Sequence, residues 1–407
     1  MIQKMIKICM SFLLLIGFSM EIKGEENPKQ GVPDLAKHAQ SAYLMEYTSG
    51  KVLYAKNENE KLYPASMTKM MGLLLIFEDI NSGKLKWDDQ VVTSSFAAGM
   101  GGSQVYLEEN ETLSVKDMVK SICIASANDA MSAMGEHIGG TNEHFVEMMN
   151  KKAKELGMKN TQFTNVTGLH DPKHYSCAKD MAVLGQALIK EGGQQLLDIT
   201  STYDAYIREN SEKPFWLVNT NKLLKSYPGV DGLKSGYTSE AKSCITITAK
   251  KNGLRLIAVV MKEPDSKVRN AEIQTMLDYG FLQYEQKVLY KKGSRIQQIK
   301  VENGKPDSMY LVTKEDVISV YEKGKPTKVK EKKIVCNPQW ITQNIGKFIS
   351  PVKHLYFFYQ FHSLLFLIQL LIGILTLPNR IKKLAKQKKL QNSYAHPSTY
   401  LPTKTDK

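Results

Sequence analysis

The spacing of apolar residues divides the chain into strand-like and helix-like regions. Near the N-terminal end, "SAYLMEYTSGKVLYAKN" has two apolar stretches on either side of Ser49-Gly50, which predicts a β-hairpin. From Ser66 to about Gly192, apolar residues recur at helical spacing, with glycines as helix stops. β-character returns at Val230 in three segments, the last two joined by Lys251-Asn252-Gly253, and a helix is predicted over residues 268–282.

Strands near both ends of this region, with helices between them, predict an α+β domain whose mainly antiparallel sheet is assembled from both termini. From Gln286 the pattern changes to short strands, "RIQQIKV", "SMYLVT" and "DVISVYE", with turns at Asn303-Gly304 and Lys323-Gly324. This stretch predicts a small all-β domain. It contains no cluster of ionisable residues that indicates chemistry.

The two ends of the chain carry patterns typical of export and membrane attachment. Lys4 and Lys7 precede an apolar run over residues 8–18, which predicts a signal peptide over residues 1–24. Residues 354–377 are apolar over a length that spans a bilayer and begin with an aromatic cluster, which predicts a transmembrane helix. Gln360, His362 and Gln369 interrupt this run, so a helix lying on the membrane surface is the alternative.

Composition and charge change the interpretation of the C-terminal end. The chain of 407 residues is 42% hydrophobic and 24% charged, as in a globular protein, and has a formal net charge of +14. After Pro378, eight lysines and arginines face one aspartate. Because this basic tail follows the apolar segment, we interpret it as a cytoplasmic anchor and not as a nucleic-acid-binding arm. We therefore expect the domains between about residues 25 and 350 to be extracytoplasmic.

These patterns give the following organisation: a signal peptide (1–24), a main domain (25–285), a small β domain (286–338), a linker (339–353), a transmembrane helix (354–377) and a basic tail (378–407).

A serine and a lysine three residues apart are the first candidates for chemistry. The chain has four Ser-x-x-Lys matches, beginning at Ser66, Ser176, Ser239 and Ser350. Ser239 and Ser350 lie in predicted loop or linker segments, and Ser176 is explained as a helix N-cap. Ser66 stands at the head of an apolar helix with Lys69 one turn further on the same face. Apolar burial and a second cation would lower the pKa of Lys69 so that it could act as a base for Ser66.

Two further motifs give Ser66 and Lys69 partners. Ser126-Ala127-Asn128 and Lys234-Ser235-Gly236 each occur once, in this order along the chain. With Ser66–Lys69 they resemble the Ser-x-x-Lys, Ser-x-Asn and Lys-Thr/Ser-Gly triplet of penicillin-binding proteins and serine β-lactamases. The flanking segments, among them "PASMTKMM", "ASANDA", "TNVTGLHDPKHYS" and "GVDGLKSGYT", are similar to those of the D-alanyl-D-alanine carboxypeptidases of low molecular mass. The resemblance covers about residues 33–285.

The resemblance implies a β-lactamase/transpeptidase-like fold, in which an antiparallel sheet is flanked by helices. It also implies a serine peptidase that removes the terminal D-alanine from peptidoglycan stem pentapeptides and binds β-lactams covalently. Ser66, Lys69 and Ser126 would be catalytic, with Ser66 as nucleophile, Lys69 as base and Ser126 relaying a proton to the leaving amine. No cofactor and no metal is expected.

The remaining candidate residues would bind substrate. Asn128 would orient the substrate backbone, Lys234 would give electrostatic support, and Ser235 would donate a hydrogen bond to the substrate carboxylate. Gly236, on an edge strand, would let the substrate backbone approach closely, and the backbone N–H groups of Ser66 and Tyr237 would form an oxyanion hole.

Arginine, histidine and cysteine residues near these motifs allow more than one interpretation. Arg269 is a candidate for binding the substrate's terminal carboxylate, with a surface helix arginine as the alternative. His170 and His174 lack a metal-like partner set, so we expect structural roles. Cys123 is expected to pack, and the exported cysteines to be buried free thiols, with disulfide pairing as the alternative.

Two other functions are alternatives for this chain. A β-lactamase of class A would carry Ser-Asp-Asn and a loop glutamate, whereas this chain has Ala127 in the middle position and no Glu-x-x-Leu-Asn between Asn128 and Lys234. A non-catalytic wall-binding or scaffolding protein would not need the reactive side chains that are present here.

Overall fold

The computed structural model describes residues 32–209, 211–300 and 308–325. The predicted signal peptide, linker, transmembrane helix and basic tail, the Asn303-Gly304 turn and Cys336 lie outside these residues. Among the helices of the described residues, none is long and apolar enough to cross a membrane.

The elements alternate between β-strands and helices along the chain. The strands are β1 (Ser41–Glu46), β2 (Val52–Lys56), β3 (Gln90–Val92), β4 (Thr112–Ser114), β5 (Asp204–Ile207), β6 (Phe215–Val218), β7 (Val230–Thr238), β8 (Lys242–Lys251), β9 (Leu254–Glu263), β10 (Tyr284–Tyr290), β11 (Arg295–Lys300), β12 (Ser308–Val312) and β13 (Val317–Glu322). The α-helices are α1 (Lys69–Asn81), α2 (Ser95–Ala98), α3 (Val115–Lys120), α4 (Asn128–Gly139), α5 (Asn142–Glu155), α6 (Ala178–Ser201), α7 (Leu223–Ser226) and α8 (Ser266–Gln283).

One antiparallel sheet of five strands, in the order β2-β1-β9-β8-β7, organises the main domain. The N-terminal hairpin β1–β2 joins the C-terminal strand β9, so the prediction of a sheet assembled from both termini is confirmed. The β8–β9 hairpin turns at Asn252-Gly253, both of which have positive φ (49° and 85°), as a tight hairpin turn requires.

The sheet is covered on both faces, which explains why most residues of β1, β8 and β9 are buried. Successive side chains of a strand point to opposite faces. In β9, Leu256, Ala258 and Val260 belong to the core that packs against α8, whereas Ile257, Val259 and Met261 belong to the larger core beneath α1 and α6. Helix α1 lies inside that larger core and is buried continuously from Lys69 to Phe77.

Two local predictions about helix ends are wrong. Cys177, and not Ser176, caps α6, because the Cys177 Sγ accepts from the Asp180 N–H at 3.4 Å. Ser176 is instead fully buried, within hydrogen-bond distance of Thr161 Oγ1 (2.8 Å). The glycine stop near residue 192 breaks the helical backbone at Gly193 (φ 54°, ψ −143°), but helix resumes and continues to Ser201.

Among its described residues, the small β domain has one strand more than the three that the sequence predicts. The three predicted segments form β11, β12 and β13, while the additional strand β10 follows α8 directly and pairs with β13. The boundary drawn at residue 285 therefore falls inside β10.

Candidate active site

A single 3-10 turn, Ala65–Thr68, presents Ser66 immediately before α1. The turn follows Pro64 and starts at Ala65, whose backbone is left-handed (φ +47°) although it is not glycine. A non-glycine residue in this conformation costs on the order of 1–3 kcal/mol and persists where surrounding packing holds it. Ala65 is 1% exposed, so the turn is held by the core, while Ser66 stays partly accessible.

Lys69 is fully buried and aims its ammonium nitrogen at Ser66. Its Nζ lies 2.9 Å from Ser66 Oγ, 2.6 Å from Asn128 Oδ1 and 2.8 Å from the Thr167 carbonyl oxygen. In the neutral form, the amine donates to the Asn128 and Thr167 oxygens and keeps a lone pair for the Ser66 hydroxyl proton. This arrangement is that of a nucleophile and its base.

Burial lowers the pKa of Lys69 well below its usual value, and the nearby charge of Lys234 lowers it further. The buried carboxylate of Asp129 acts in the opposite direction. Asp129 is itself held by the backbone N–H groups of Val105 and Leu107, at 3.0 and 3.1 Å. The direction of this effect is the one expected of Lys234 as the second cation.

Ser126 and Asn128 lie where a π-helical turn, Ser121–Ala125, meets α4. Ser126 is left-handed (φ +64°) and buried, at 4% exposed. Asn128 is held on two sides, because its Nδ2 donates to the Gly101 carbonyl at 2.6 Å while its Oδ1 accepts from Lys69. In this structure the Asn128 amide orients Lys69, a role that the sequence analysis did not assign to it.

The Lys234-Ser235-Gly236 segment lies on β7, the edge strand of the five-stranded sheet, as predicted. Lys234 is 2% exposed, and burial lowers its pKa to about 8. The Ser235 hydroxyl donates to Thr220 Oγ1 at 2.8 Å. Tyr237 follows at the exposed end of the same strand.

Gly236 packs directly against the nucleophile turn. A Cβ atom at this position would lie 2.9 Å from the Ser66 backbone nitrogen and 2.9 Å from the Pro64 carbonyl oxygen. From the sequence, this glycine is expected to let the substrate backbone approach closely. In the structure, its missing side chain lets β7 approach the turn that carries Ser66.

Arg269 is buried, at 4% exposed, so the alternative of a surface arginine is wrong. Its guanidinium lies beneath β8, with Nη1 3.4 Å from Ser243 Oγ, and its charge lowers the pKa of Lys234. Beside it, Glu263 is fully buried, and neither of its carboxylate oxygens has a hydrogen-bond partner that meets normal geometry among the described residues. Burial raises the pKa of Glu263 well above its usual value, and the neighbouring Glu272 raises it further.

Three residues at the site were missed by the sequence analysis: Asp129, Thr167 and Thr220. Asp129 adjoins the Ser-x-Asn motif and could have been noticed as an acidic residue in an apolar helix. Thr167 contributes only a backbone carbonyl, and Thr220 is brought to Ser235 by the fold, so neither gave a signal in its side-chain pattern.

The structure gives His170, His174 and Cys123 no contact with Ser66. His170 packs edge-on against Tyr63, with ring centroids 4.7 Å apart, and His174 is buried. No group of metal-ligating side chains occurs among the residues that the structure describes. Within the same residues, Cys123, Cys177 and Cys244 are buried free thiols.

Comparison with known protein families assigns both domains. Residues 27–265 match the profile of the D-alanyl-D-alanine carboxypeptidase family of peptidases. Residues 284–348 match the profile of the C-terminal domain of penicillin-binding protein 5.

Individual relatives agree with these matches. The chain is 50% identical over 312 residues to the D-alanyl-D-alanine carboxypeptidase DacF of Bacillus subtilis, covering 77% of this chain and 79% of that protein. It is similar to the solved structure of penicillin-binding protein 5 from Haemophilus influenzae, with a TM-score of 0.64 and 36% identity over 72% of this chain and 85% of that one. Penicillin-binding protein D2 from Listeria monocytogenes, solved in its ampicillin-bound form, is 30% identical with a TM-score of 0.55, over 61% of this chain and 100% of that one.

Proposed function

The chain belongs to the D-alanyl-D-alanine carboxypeptidase family of serine peptidases, and from this premise we propose that it removes the terminal D-alanine from peptidoglycan stem pentapeptides through an acyl-enzyme on Ser66. The observation that carries this assignment is the fully buried Lys69 amine, 2.9 Å from Ser66 Oγ. A lysine with a lowered pKa can accept the hydroxyl proton near neutral pH, whereas an ordinary lysine remains protonated there.

Acylation begins when Ser66 Oγ attacks the carbonyl carbon between the two D-alanines while its proton passes to Lys69 Nζ. The backbone N–H groups of Ser66 and Tyr237 stabilise the oxyanion. The Ser126 hydroxyl relays this proton from Lys69 Nζ to the departing amine nitrogen, the C–N bond breaks, D-alanine leaves, and Lys69 is neutral again. Lys69 then takes a proton from the water that hydrolyses the Ser66 ester.

Substrate binding uses the cationic side of the site. Lys234 and Ser235, both on β7, support the terminal carboxylate of the substrate. Arg269 adds positive potential from behind β8, where its charge already acts on Lys234. In this role Arg269 supports carboxylate binding through Lys234 and the strand, and does not itself present an exposed guanidinium.

The test is D-alanine release from a stem pentapeptide by residues 25–350, compared with the Ser66→Ala variant. The parent protein should release D-alanine and form a covalent adduct with fluorescent penicillin, and Ser66→Ala should do neither. Undiminished release by Ser66→Ala would refute the assignment of the nucleophile. Failure of a folded parent protein to bind penicillin would favour a non-catalytic wall-binding protein.

The same assay separates this function from that of a β-lactamase. Because the chain has no Glu-x-x-Leu-Asn segment between Asn128 and Lys234, no loop glutamate of that type activates a deacylating water. We therefore expect a long-lived penicillin adduct. Rapid turnover of penicillin would reverse this choice.

The proposed location is the outer face of the cell membrane, with residues 354–377 as a single span and the basic tail in the cytoplasm. Support comes from the apolar length of that segment, its aromatic start and the lysine-rich residues after it. The full chain should sediment with membranes and resist extraction by high salt, while a chain ending at residue 350 should be released. Extraction of the full chain by salt would instead indicate a helix that lies on the surface.

A further inference from the structure

The segment that carries the Thr167 carbonyl contacts the nucleophile turn, Ala65–Thr68, at two places. The first is Gly168 (φ +86°), where a Cβ atom would lie 1.9 Å from the Ala65 carbonyl oxygen. The second is the imidazole of His174, whose Nε2 lies 2.7 Å from Thr68 Oγ1. Thr68 stands between Ser66 and Lys69 in the sequence, so His174 reaches the short stretch of backbone that sets the spacing of the nucleophile and its base.

The hydrogen bonds of His174 define which ring nitrogen carries the proton. The Thr164 backbone N–H can only donate, and it donates to His174 Nδ1 at 3.1 Å. Nε2 therefore carries the proton and donates to Thr68 Oγ1. The imidazole is 2% exposed, and burial lowers its pKa to about 4, so this neutral tautomer persists through neutral pH.

The hydrogen bond to His174 accounts for the hydroxyl of Thr68. Thr68 occupies the N-cap position of α1, where a hydroxyl normally accepts a hydrogen bond from the backbone of the first turn, yet its side chain makes no capping bond. Its hydroxyl is fully buried and is directed to His174 instead. The pair thus links α1 to the loop on which Thr167 lies.

We propose that His174 is a positioning residue for the acylation step: its Nε2–H···Oγ1 bond to Thr68 fixes the Ser66–Lys69 turn against the segment that carries the Thr167 carbonyl. The inference rests on the proposed roles of Ser66 and Lys69. If the bond is lost, only the Gly168 contact holds the Thr167 segment against the turn, and the distance between Lys69 Nζ and Ser66 Oγ is fixed less firmly. Small misplacements of reacting groups, of about 1 Å, reduce rates on the order of 100-fold.

Two amide variants separate the positioning role from general support of the fold. In His174→Gln, the side-chain Nε2 can still donate to Thr68, but the Thr164 N–H loses its acceptor. In His174→Asn, the shorter amide can still serve Thr164, but it does not reach Thr68. Each variant leaves one partner unsatisfied, the N–H of the half-buried Thr164 or the hydroxyl of the buried Thr68, so both should lower the melting temperature.

The experiment measures the rate constant of acylation by fluorescent penicillin, using the chain over residues 25–350. The rate is normalised to the number of molecules that are labelled at the end of the reaction. We expect His174→Asn to be slowed about 10- to 100-fold and His174→Gln to keep most of the parent rate. Thr68→Val should slow acylation as much as His174→Asn does. The double variant Thr68→Val/His174→Asn should acylate no more slowly than either single variant. Equal rates for the Gln and Asn variants, or multiplied losses in the double variant, would overturn the proposal.

Two controls complete the experiment. Thr161→Val removes a hydroxyl that contacts Ser176 and Asp180 in the same lobe, each at 2.8 Å, without contact to the nucleophile turn. It should lower stability and leave the acylation rate unchanged. Labelling of Ser66→Ala would overturn the proposed nucleophile and, with it, this inference, whereas equal Gln and Asn rates with an unlabelled Ser66→Ala would overturn the positioning role alone.

Discussion

Gly168→Ala tests how tightly the nucleophile turn is packed against the loop behind it. The added Cβ would lie 1.9 Å from the Ala65 carbonyl oxygen and 2.3 Å from the Ala65 carbonyl carbon. Both are backbone atoms, so no side-chain rotation can relieve the contact, and the loop or the turn must move. Alanine at φ +86° also costs about 1 kcal/mol in backbone conformation.

The expected loss of stability is the sum of the two effects. Overpacking in a close-packed interior costs about 1–3 kcal/mol, which with the backbone cost gives about 2–4 kcal/mol, against a total stability of about 5–15 kcal/mol for a typical protein. Because the displaced atoms belong to the residue before Ser66, acylation should slow on the order of 100-fold. Urea unfolding and the rate of penicillin acylation measure the two effects separately.

Gly157→Ala is the matched control, because Gly157 also has positive φ (+73°) but has no atom within 4 Å of the added Cβ. It should lose about 1 kcal/mol from backbone conformation alone and acylate at the parent rate. The reasoning is refuted if Gly168→Ala resembles Gly157→Ala in both measurements, since the close contact would then have no consequence.

The remaining predictions concern charge and packing. Removing the Lys234 charge in Lys234→Gln should raise the pKa of Lys69 and move the acid limb of the acylation rate to higher pH, whereas Asp129→Asn should move it to lower pH; shifts in the same direction would contradict this electrostatic account. Gly236→Ala should lower both stability and acylation, because its Cβ meets the nucleophile turn; unchanged stability with slower acylation would instead indicate a role limited to substrate approach. The folded state holds the proton of Glu263 to a higher pH than the unfolded chain does, whose carboxyl titrates near 4.5, so this group makes stability fall as pH rises above that value. Glu263→Gln should therefore stabilise the protein more at pH 8 than at pH 5 in urea unfolding, and an equal difference at both pH values would contradict the burial argument.

Much of the fold could be predicted because the spacing of apolar residues within each segment indicates the strands of the sheet. The hairpin turn at Asn252-Gly253 and the apolar runs on either side of it identify β8 and β9 without any knowledge of their neighbours. The small β domain was predicted less completely. β10 was missed because only Tyr284 of this strand is buried, so its side chains show no clear alternation of apolar and polar positions.

The three motifs alone identify which residue types meet at the site. Ser66–Lys69, Ser126–Asn128 and Lys234–Gly236 are short motifs whose chemistry is local, and each was found without coordinates. The tertiary structure decided how they act. In the fold, Asn128 and the Thr167 carbonyl both accept hydrogen bonds from the Lys69 amine. Arg269 is buried, and Gly236 packs against the nucleophile turn.

The physical reason is that a motif fixes the identity and spacing of groups along one segment, whereas the pKa of Lys69 and the position of its amine depend on groups far apart in the sequence. Asn128, Thr167 and Lys234 reach Lys69 only because packing of the sheet and helices brings their segments together. Backbone carbonyls and close glycine contacts have no side-chain pattern, so the sequence could indicate a lysine that needed such an environment but could not show which atoms provide it.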